Sequence, residues 1–296
     1  MSNSRRIVIT GASGFLGSHL VERLKDDAQL QVFALSSRPD ELKSKIGGSS
    51  IVYRHKDSVF QDGSALSEAT VINCAYPRNS TGIMIADGLK YIQGVFEAAV
   101  ENKATAIINI SSQSVYSQQR TETATEETPV CLESPYAVGK YAVELMLESI
   151  CKGSETVYTS LRMASLIGPG FEQRIVNRLA LKILHQEPVT VVRQEKRMGF
   201  LDVEDAVNAI LAVANNPVDT RKSVYNVGNG QGYTVEEIYK AVVEALNGRT
   251  DICDPHIEIG TEISSTAVSF ERLNNDTGFV PALNLNESIK RIIAHI

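Results

Sequence analysis

Two residues with complementary acid–base chemistry lie four positions apart in the middle of the chain. Tyr136 and Lys140 open the segment that follows Ser134-Pro135, a pair typical of a helix start. Side chains at this spacing share one face of a helix, so the ammonium would lie beside the phenol. A neighbouring positive charge lowers the pKa of a phenol from about 10 toward neutrality, which makes tyrosine a usable acid or base. The pair is a weak signal alone and needs a site around it.

Ser112 is the third candidate catalytic residue. It follows the apolar run 106–110, which predicts a buried strand. Ligands of parallel α/β sheets bind at the carboxyl ends of strands, where a hydroxyl can donate a hydrogen bond to a reacting oxygen. We therefore predict that Ser112, Tyr136 and Lys140 form the catalytic site, in which Tyr136 transfers a proton to or from a carbonyl or hydroxyl. Ser112 and Ser114 are also predicted to contact the substrate.

The N-terminal stretch supplies a site for a dinucleotide. Ile7-Val8-Ile9 predicts a buried parallel strand, and a helical pattern of leucines follows from Leu16. Between them come glycines in the spacing G-x-x-G-x-x-G, at Gly11, Gly14 and Gly17. These would allow a tight turn, approach of a pyrophosphate and close packing of the helix, whose N-terminus attracts phosphate. The strand–turn–helix context favours nucleotide binding over a purely structural turn.

The ends of the next strands complete the predicted cofactor site. The second strand ends at Ser36-Ser37-Arg38, with no acidic residue before Asp40. An acid here would bind the ribose 2′-hydroxyl and an arginine would accommodate a 2′-phosphate, so the sequence slightly favours NADP over NAD; an ordinary polar loop is the alternative. The predicted cofactor contacts are Gly11, Ser13, Gly14, Phe15, Leu16, Gly17, Ser36, Arg38, Asp57, Ser58, Cys74, Ala75, Tyr136 and Lys140.

Strands alternate with helices up to Gly170, which predicts an α/β fold of the Rossmann type, with a doubly wound parallel sheet and a smaller C-terminal substrate lobe. Residues 1–165 and 198–228 are assigned to the dinucleotide-binding domain, and residues 166–197 and 229–296 to the substrate lobe. Within the lobe, a short strand is expected at 189–192. The polar segment 118–128 lacks apolar periodicity, so we expect a solvated, mobile loop there.

Composition narrows the class of protein. The 296 residues are 43% hydrophobic and carry a formal charge of -6, which disfavours nucleic-acid binding. The four cysteines lack C-x-x-C spacing and the five histidines are scattered, so we expect reduced thiols, no metal site and a cytoplasmic location. We expect neither a signal peptide nor a membrane-spanning segment.

Taken together, these motifs resemble the extended short-chain dehydrogenases/reductases, the NAD-dependent epimerase/dehydratase proteins that include nucleotide-sugar epimerases and ketoreductases. The motifs are Thr10 to Gly17, Ser111-Ser112-Gln113-Ser114-Val115-Tyr116, Tyr136 to Lys140, Leu161-Arg162 to Gly168-Pro169-Gly170, Asp202-Val203-Glu204-Asp205, Tyr225-Asn226-Val227-Gly228 and Gly278-Phe279-Val280-Pro281. The resemblance implies that Tyr136 is the acid/base, that Lys140 binds the nicotinamide ribose, and that Ser112 takes the family's Ser/Thr position. It also implies a C-terminal lobe that holds a nucleotide sugar, and a homodimer packed through the Tyr–Lys helix and the preceding long helix.

The sequence departs from the family pattern at several positions. Gly139 replaces the usual Ser before Lys140, and Gln113-Ser114 replaces the Asp-Glu pair of the 4,6-dehydratases, which argues against water elimination. Arg197 lies one residue out of register with the family's phosphate-binding arginine. Among the polar residues Arg174, Asn177, Arg178, Arg193 and Arg197, we predict substrate contacts at Asn177, Arg193 and Arg197, with solvated surface arginines as an equal alternative.

Three functions follow from these features. The leading one is a nucleotide-sugar 4-ketoreductase that uses Tyr136 as acid/base, favoured slightly by the short chain and by Ser36 to Arg38. The alternative is a nucleotide-sugar 4-epimerase with tightly bound NAD. A non-catalytic NAD(P)-binding regulatory protein is the third, and intact Ser112, Tyr136 and Lys140 argue against it.

Overall fold

A computed structural model describes residues 5–77, 81–246 and 254–296 of the chain. The chain forms two compact units. The first comprises Met1–Val115, Leu132–Arg162 and Ile210–Tyr225, and the second comprises Tyr116–Cys131, Met163–Ala209 and Asn226–Ile296. These boundaries differ from the predicted domains chiefly at residues 116–131 and 198–209, which fall in the second unit.

The strands form two sheets. They are β1 (Arg5–Thr10), β2 (Leu30–Ser36), β3 (Ile51–His55), β4 (Ala69–Asn73), β5 (Ala106–Ser112), β6 (Val157–Met163), β7 (Ser165–Ile167), β8 (Thr190–Asp202), β9 (Val224–Val227), β10 (Gly232–Tyr233) and β11 (His256–Ser265). The larger sheet has seven strands in the order β3-β2-β1-β4-β5-β6-β9, and neighbours from β3 to β5 pair in parallel. This is the predicted Rossmann-type arrangement. The strand order reverses between β1 and β4, so their carboxyl ends define the switch point at which such sheets bind ligands.

Helices flank these strands. They are α1 (Phe15–Leu24), α2 (Pro39–Ile46), α3 (Gly82–Glu101), α4 (Pro135–Cys151), α5 (Ile175–Leu184), α6 (Val203–Asn215), α7 (Val235–Leu246), α8 (Glu271–Thr277) and α9 (Leu285–Ala294). Sequence analysis does not predict α2, because it is short and buries only Leu42. Across the described ranges, every helix is too short or too polar to cross a membrane.

A buried polar ladder fixes the register of the central strands in the first unit. The Thr10 hydroxyl donates to Asn73 Oδ1 at 2.7 Å, and Asn73 Nδ2 donates to Asn109 Oδ1 at 3.0 Å. Asn109 Nδ2 then donates to Ser160 Oγ at 3.3 Å. Since a buried polar group without a partner costs free energy, a slip of any strand would break this chain of bonds. The ladder therefore aligns the strand ends from β1 to β6.

The second unit contains the smaller sheet, in which the 13-residue β8 pairs with β7, β10 and β11. The predicted strand at 189–192 covers only the beginning of β8. The residues from Arg193 to Arg197 are mostly charged and lack an apolar pattern, so the sequence did not predict that the strand continues. The hydrophobic core of the second unit combines α5, α7 and α9 with residues such as Val191 and Phe200 of β8.

The segment 118–128 is not a free loop, and the prediction of a solvated, mobile segment is wrong for its centre. Ala124 is buried and forms a bridge with Val268. Glu126 Oε1 accepts a hydrogen bond from the backbone N–H of Asn226 at 2.7 Å. These partners are distant in sequence, so local polarity could not reveal them.

Gly11 offers a direct test of the packing at the switch point. It has φ +64°, and a Cβ built on it would lie 2.6 Å from the backbone N of Ala75. Gly153 has a similar φ of +79°, but its Cβ would meet nothing within 4 Å. Gly153→Ala should therefore lower the free energy of unfolding by about 1–2 kcal/mol, the cost of the left-handed backbone. Gly11→Ala should lower it by a further 1–3 kcal/mol, roughly the cost of overpacking.

Urea denaturation of the two variants measures this difference. Because the backbone strain is matched, any excess loss at position 11 reports the contact with Ala75. Equal losses in the two variants would contradict the close packing.

Candidate active site

The glycine turn after β1 has the geometry of a phosphate cradle. A Cβ on Gly17 would lie 2.3 Å from the carbonyl oxygen of Gly11, so α1 can pack against the turn only with glycine there. Gly14 is the N-cap of α1 and supplies no side-chain cap, and both Ser13 and Gly14 are exposed. Backbone N–H groups at such a helix start are suited to a pyrophosphate. The turn therefore fits a dinucleotide.

Of the other predicted contacts at the turn, Phe15 is half-buried and Leu16 is buried. Leu16 packs into the core, which leaves its backbone as the part that a ligand can reach.

Polar groups at the ends of β2 and β3 lie where the adenosine half is predicted. Ser36 is buried, and its Oγ accepts the backbone N–H of Arg38 at 2.9 Å. The Arg38 side chain is 69% exposed and pairs with Glu41 at 3.0 Å. Asp57 accepts a hydrogen bond from Lys56 at 2.9 Å. Ser58 Oγ is buried and has no hydrogen-bond partner within the described ranges, so a ligand group could satisfy it.

Cys74 and Ala75 follow β4 and adjoin the glycine turn. The backbone N–H of Cys74 donates to the carbonyl of Thr10 at 3.1 Å. Burial raises the pKa of the Cys74 thiol to about 12, so it stays protonated at neutral pH and is a poor nucleophile.

The predicted catalytic helix is α4, which begins at Pro135. Ser134 caps it by accepting the backbone N–H of Ala137 at 3.1 Å. Lys140 is buried, and its Nζ donates to the carbonyl of Ile110 at 2.7 Å. The same Nζ lies 5.9 Å from the centre of the Tyr136 ring. The structure thus brings the phenol and the ammonium together and ties the ammonium to β5, two residues before Ser112.

Ser112 and Ser114 form a pair of hydroxyls at the end of β5. Ser114 Oγ donates to Ser112 Oγ at 2.9 Å, and the backbone N–H of Ser114 donates to the same atom at 3.2 Å. Gln113, between them, is buried. A pair of hydroxyls beside an acid–base helix can hydrogen-bond a reacting oxygen, but it adds no second acid.

A buried ion pair that sequence analysis does not predict holds α4 against the sheet. Glu144 accepts from Arg162 Nη2 at 2.7 Å and from Nε at 3.1 Å, and it also accepts a very short hydrogen bond from the Ser111 hydroxyl. Glu144 and Arg162 side chains are 9% and 8% exposed. The available signal is the spacing of Glu144, four residues after Lys140 on the same helix face.

Tyr76 is the second residue that the sequence reasoning misses. Its ring centre lies 5.3 Å from that of Tyr136, edge to face at 85°, and 4.2 Å from Lys140 Nζ. A Cβ on Gly139 would lie 2.2 Å from the Tyr76 hydroxyl. The available signal in the sequence is Gly139 itself, because a glycine in place of the usual serine indicates that another group packs against the helix there.

The predicted substrate contacts of the second unit have protein partners. Asn177 is buried, and its Nδ2 donates to Gly168 O at 3.3 Å. Arg193 pairs with Glu236 at 2.9 Å, and Arg197 pairs with Glu195 and Glu237, each at 3.4 Å. Their contact with a substrate stays a prediction. In the part of the chain that the structure describes, no group of three or more side chains could hold a metal ion.

A glycine turn at the switch point, with the Tyr136–Lys140 helix beside β5, is the arrangement expected of a dinucleotide-dependent α/β enzyme. The model of the NAD dependent epimerase/dehydratase family matches residues 7–228, and the chain belongs to this family. The sequence resemblance is thereby confirmed. Members of the family are enzymes, so the alternative of a non-catalytic regulatory protein finds no support.

Similar proteins span the whole chain. The uncharacterized UDP-glucose epimerase YtcB of Bacillus subtilis (strain 168) is 24% identical, with 98% of each chain covered. A variant of UDP-glucuronic acid 4-epimerase from Bacillus cereus, solved with UDP-4-deoxy-4-fluoro-glucuronic acid and NAD, has a TM-score of 0.83 at 19% identity, with 98% of each chain covered. MoeE5 in complex with UDP-glucose and NAD has a TM-score of 0.81 at 26% identity, again with 98% of each covered.

The buried ion pair of α4 can be tested by removing its carboxylate. Glu144→Ala leaves the Arg162 guanidinium buried without its partner, which should lower the free energy of unfolding by about 3–5 kcal/mol. Glu148 is an exposed glutamate on the same helix. Glu148→Ala should change stability by less than about 0.5 kcal/mol. Chemical denaturation of both variants compares them, and a similar small change in each would exclude an anchoring role for Glu144.

Proposed function

We propose that this protein is an NAD-dependent nucleotide-sugar 4-epimerase that acts on a UDP-sugar. The observation that carries the proposal is the buried Lys140 ammonium, held at the end of β5 and beside the ring of Tyr136. An acid–base phenol held at this place suits reversible oxidation of a secondary hydroxyl. The similar proteins support the choice of 4-epimerase and of a UDP-sugar, since they include a UDP-glucose epimerase, a UDP-glucuronic acid 4-epimerase and a protein solved with UDP-glucose and NAD.

Each residue of the site has a distinct role in this proposal. NAD, held by the glycine turn and the ends of β2 to β4, would supply reversible hydride transfer at C4 of the sugar. Tyr136 takes the proton from the C4 hydroxyl and gives it back. Lys140 keeps a positive charge near the phenol, which favours the phenolate. Ser112, with Ser114 as its hydrogen-bond donor, orients the reacting oxygen.

The comparisons therefore favour the 4-epimerase over the 4-ketoreductase that leads the sequence analysis. Length and the residues at the end of β2 favour a reductase only weakly, whereas the three similar proteins described above are named as epimerases or were solved with NAD and a UDP-sugar. Gln113-Ser114 replaces the Asp-Glu pair of the 4,6-dehydratases, so the chain lacks the acid and base that removal of water needs.

The nucleotide sugar, the substrate-lobe contacts and the homodimer belong to the same proposal. Exposed apolar side chains support a homodimer packed through α3 and α4, since Ile83 and Met84 on α3 and Val138 and Leu145 on α4 are all exposed. We keep Asn177, Arg193 and Arg197 as candidate substrate contacts. To bind the substrate, Arg193 and Arg197 would have to release the carboxylates of Glu236 and Glu237 and bind a phosphate of the nucleotide sugar instead.

Turnover without added cofactor tests the reaction class. The protein as purified should convert UDP-glucose or UDP-glucuronic acid to the 4-epimer with no net consumption of dinucleotide. NMR spectroscopy of the sugar monitors the conversion. Tyr136→Phe removes the proton carrier and should slow the conversion by about 100-fold or more.

The matched control is Tyr141→Phe, a half-buried tyrosine on the same helix, which should retain activity within a few-fold. Stoichiometric oxidation of NADPH by a keto-sugar would identify a ketoreductase, and full activity of Tyr136→Phe would remove Tyr136 from the mechanism.

The choice of NAD over NADP has its own test. Dinucleotide released from the purified protein by acid should be NAD, as identified by mass spectrometry. Arg38→Ala should leave the retained amount unchanged, because its exposed guanidinium pairs with Glu41 and a 2′-phosphate is absent from NAD. Arg23→Ala, an exposed arginine on α1, serves as control. Release of NADP would restore the sequence-based preference, and loss of NAD in Arg38→Ala alone would show that Arg38 contacts the cofactor without a 2′-phosphate.

A further inference from the structure

Tyr76 occupies a place beside the acid–base pair that the mechanism above does not use. Tyr76 lies three residues after the end of β4. It is partly buried and packs against the core of the first unit. The face of its ring lies 4.2 Å from Lys140 Nζ, and its centre lies 5.3 Å from the Tyr136 ring. Its hydroxyl donates a long hydrogen bond of 3.5 Å to the carbonyl of Tyr136.

Two glycines, one on each neighbouring helix, make room for this segment. A Cβ on Gly139 of α4 would lie 2.2 Å from the Tyr76 hydroxyl, and a Cβ on Gly88 of α3 would lie 2.4 Å from Pro77 Cγ. Real Cβ atoms do not approach heavy atoms so closely, so an ordinary side chain at position 139 or 88 would displace the side chain of Tyr76 or of Pro77. The departure at Gly139 from the family's usual serine thus has a physical reason in this chain.

We propose that Tyr76 is a positioning residue for the Tyr136–Lys140 pair, and that Gly139 is present to admit it. Its ring face attracts the Lys140 ammonium, a contact that is strongest where water is excluded. Its edge-to-face contact fixes the plane of the Tyr136 ring. The inference rests on the proposed function only in calling Tyr136 the acid/base.

The groups that surround the ammonium support this role. Lys140 is approached by the rings of Tyr76 and Tyr136, by the carbonyl of Ile110 and by the Cys74 thiol. Burial raises the pKa values of both Cys74 and Tyr76, so these two groups stay neutral around neutral pH. Tyr76 therefore holds the ammonium through its ring and does not neutralise it.

Tyrosinate absorbance titration provides a readout that needs no substrate. In the Tyr76→Leu and Tyr76→Phe backgrounds, which lack the neighbouring phenol, subtracting the titration of the matched Tyr136→Phe variant isolates the Tyr136 signal. Tyr76→Leu removes the aromatic face, so Lys140 is held less firmly and the Tyr136 midpoint should rise by about one pH unit. Tyr76→Phe keeps the ring and should move the midpoint by no more than about 0.3 unit. An unchanged midpoint in Tyr76→Leu would overturn the inference.

A second pair of variants tests the role of Gly139. Alanine is a better helix residue than glycine, so Gly139→Ala should raise the urea midpoint where no clash exists. In the wild-type background the Tyr76 hydroxyl blocks the new Cβ, and Gly139→Ala should lower the urea midpoint and raise the Tyr136 titration midpoint. In the Tyr76→Leu background it should raise the urea midpoint and leave the titration unchanged. The same sign of the stability change in both backgrounds would refute the proposal.

The two proposals fail separately. A protein that shows the titration shift but does not epimerise UDP-sugars would keep Tyr76 as a positioning residue and lose the proposed reaction. If the protein is an active epimerase but Tyr76→Leu leaves the Tyr136 midpoint unchanged, the proposed reaction stands and Tyr76 is only a packing residue.

Discussion

The site depends on the burial of two charged side chains on one face of α4. Lys140 and Glu144 lie one turn apart, and both are nearly inaccessible to water. Burying a charge is costly unless it is paired, and here the ammonium meets the carbonyl of Ile110 while the carboxylate meets Arg162 and Ser111. A rotation or slide of α4 would unpair both at once. The same bonds that stabilise the helix against β5 and β6 therefore fix the acid–base pair relative to the Ser112 hydroxyl.

The glycine turn imposes the matching constraint at the other side of the switch point. Gly11 must leave room for Ala75, and Gly17 must leave room for the carbonyl of Gly11. The carboxyl ends of β1 and β4 are aligned by the bond from Thr10 to Asn73. Residues 74–76 leave β4 at this point, so one short connection touches the glycine turn with Ala75 and the acid–base pair with Tyr76. A shift of this connection would disturb the glycine turn and the Tyr136–Lys140 helix together.

Local patterns were sufficient for part of this arrangement. The apolar run at Ile7 and the glycine spacing predict β1, the turn and α1, and the four-residue spacing predicts that Tyr136 and Lys140 share a face. Long-range partners were not predictable in this way. Neither the pairing of Glu144 with Arg162 nor the bridge from Ala124 to Val268 has a local signature, because each joins segments that only the fold brings together. The prediction of NADP had a different weakness, since it rested on the few residues that follow β2, and Arg38 among them is exposed and pairs with Glu41.

The choice among reactions follows from how many proton carriers the first unit provides at the end of β5. Removal of water from a sugar needs a second acid and base beside the tyrosine, whereas epimerisation returns the same proton to the same oxygen and needs only one carrier. The Gln113 amide does not ionise, and the Ser114 hydroxyl is engaged with Ser112. Cys74 stays protonated through burial, and the Tyr76 phenol is held neutral for the same reason. In the proposed epimerase, Tyr136 therefore carries the proton, and the neighbouring groups orient the substrate and the ammonium.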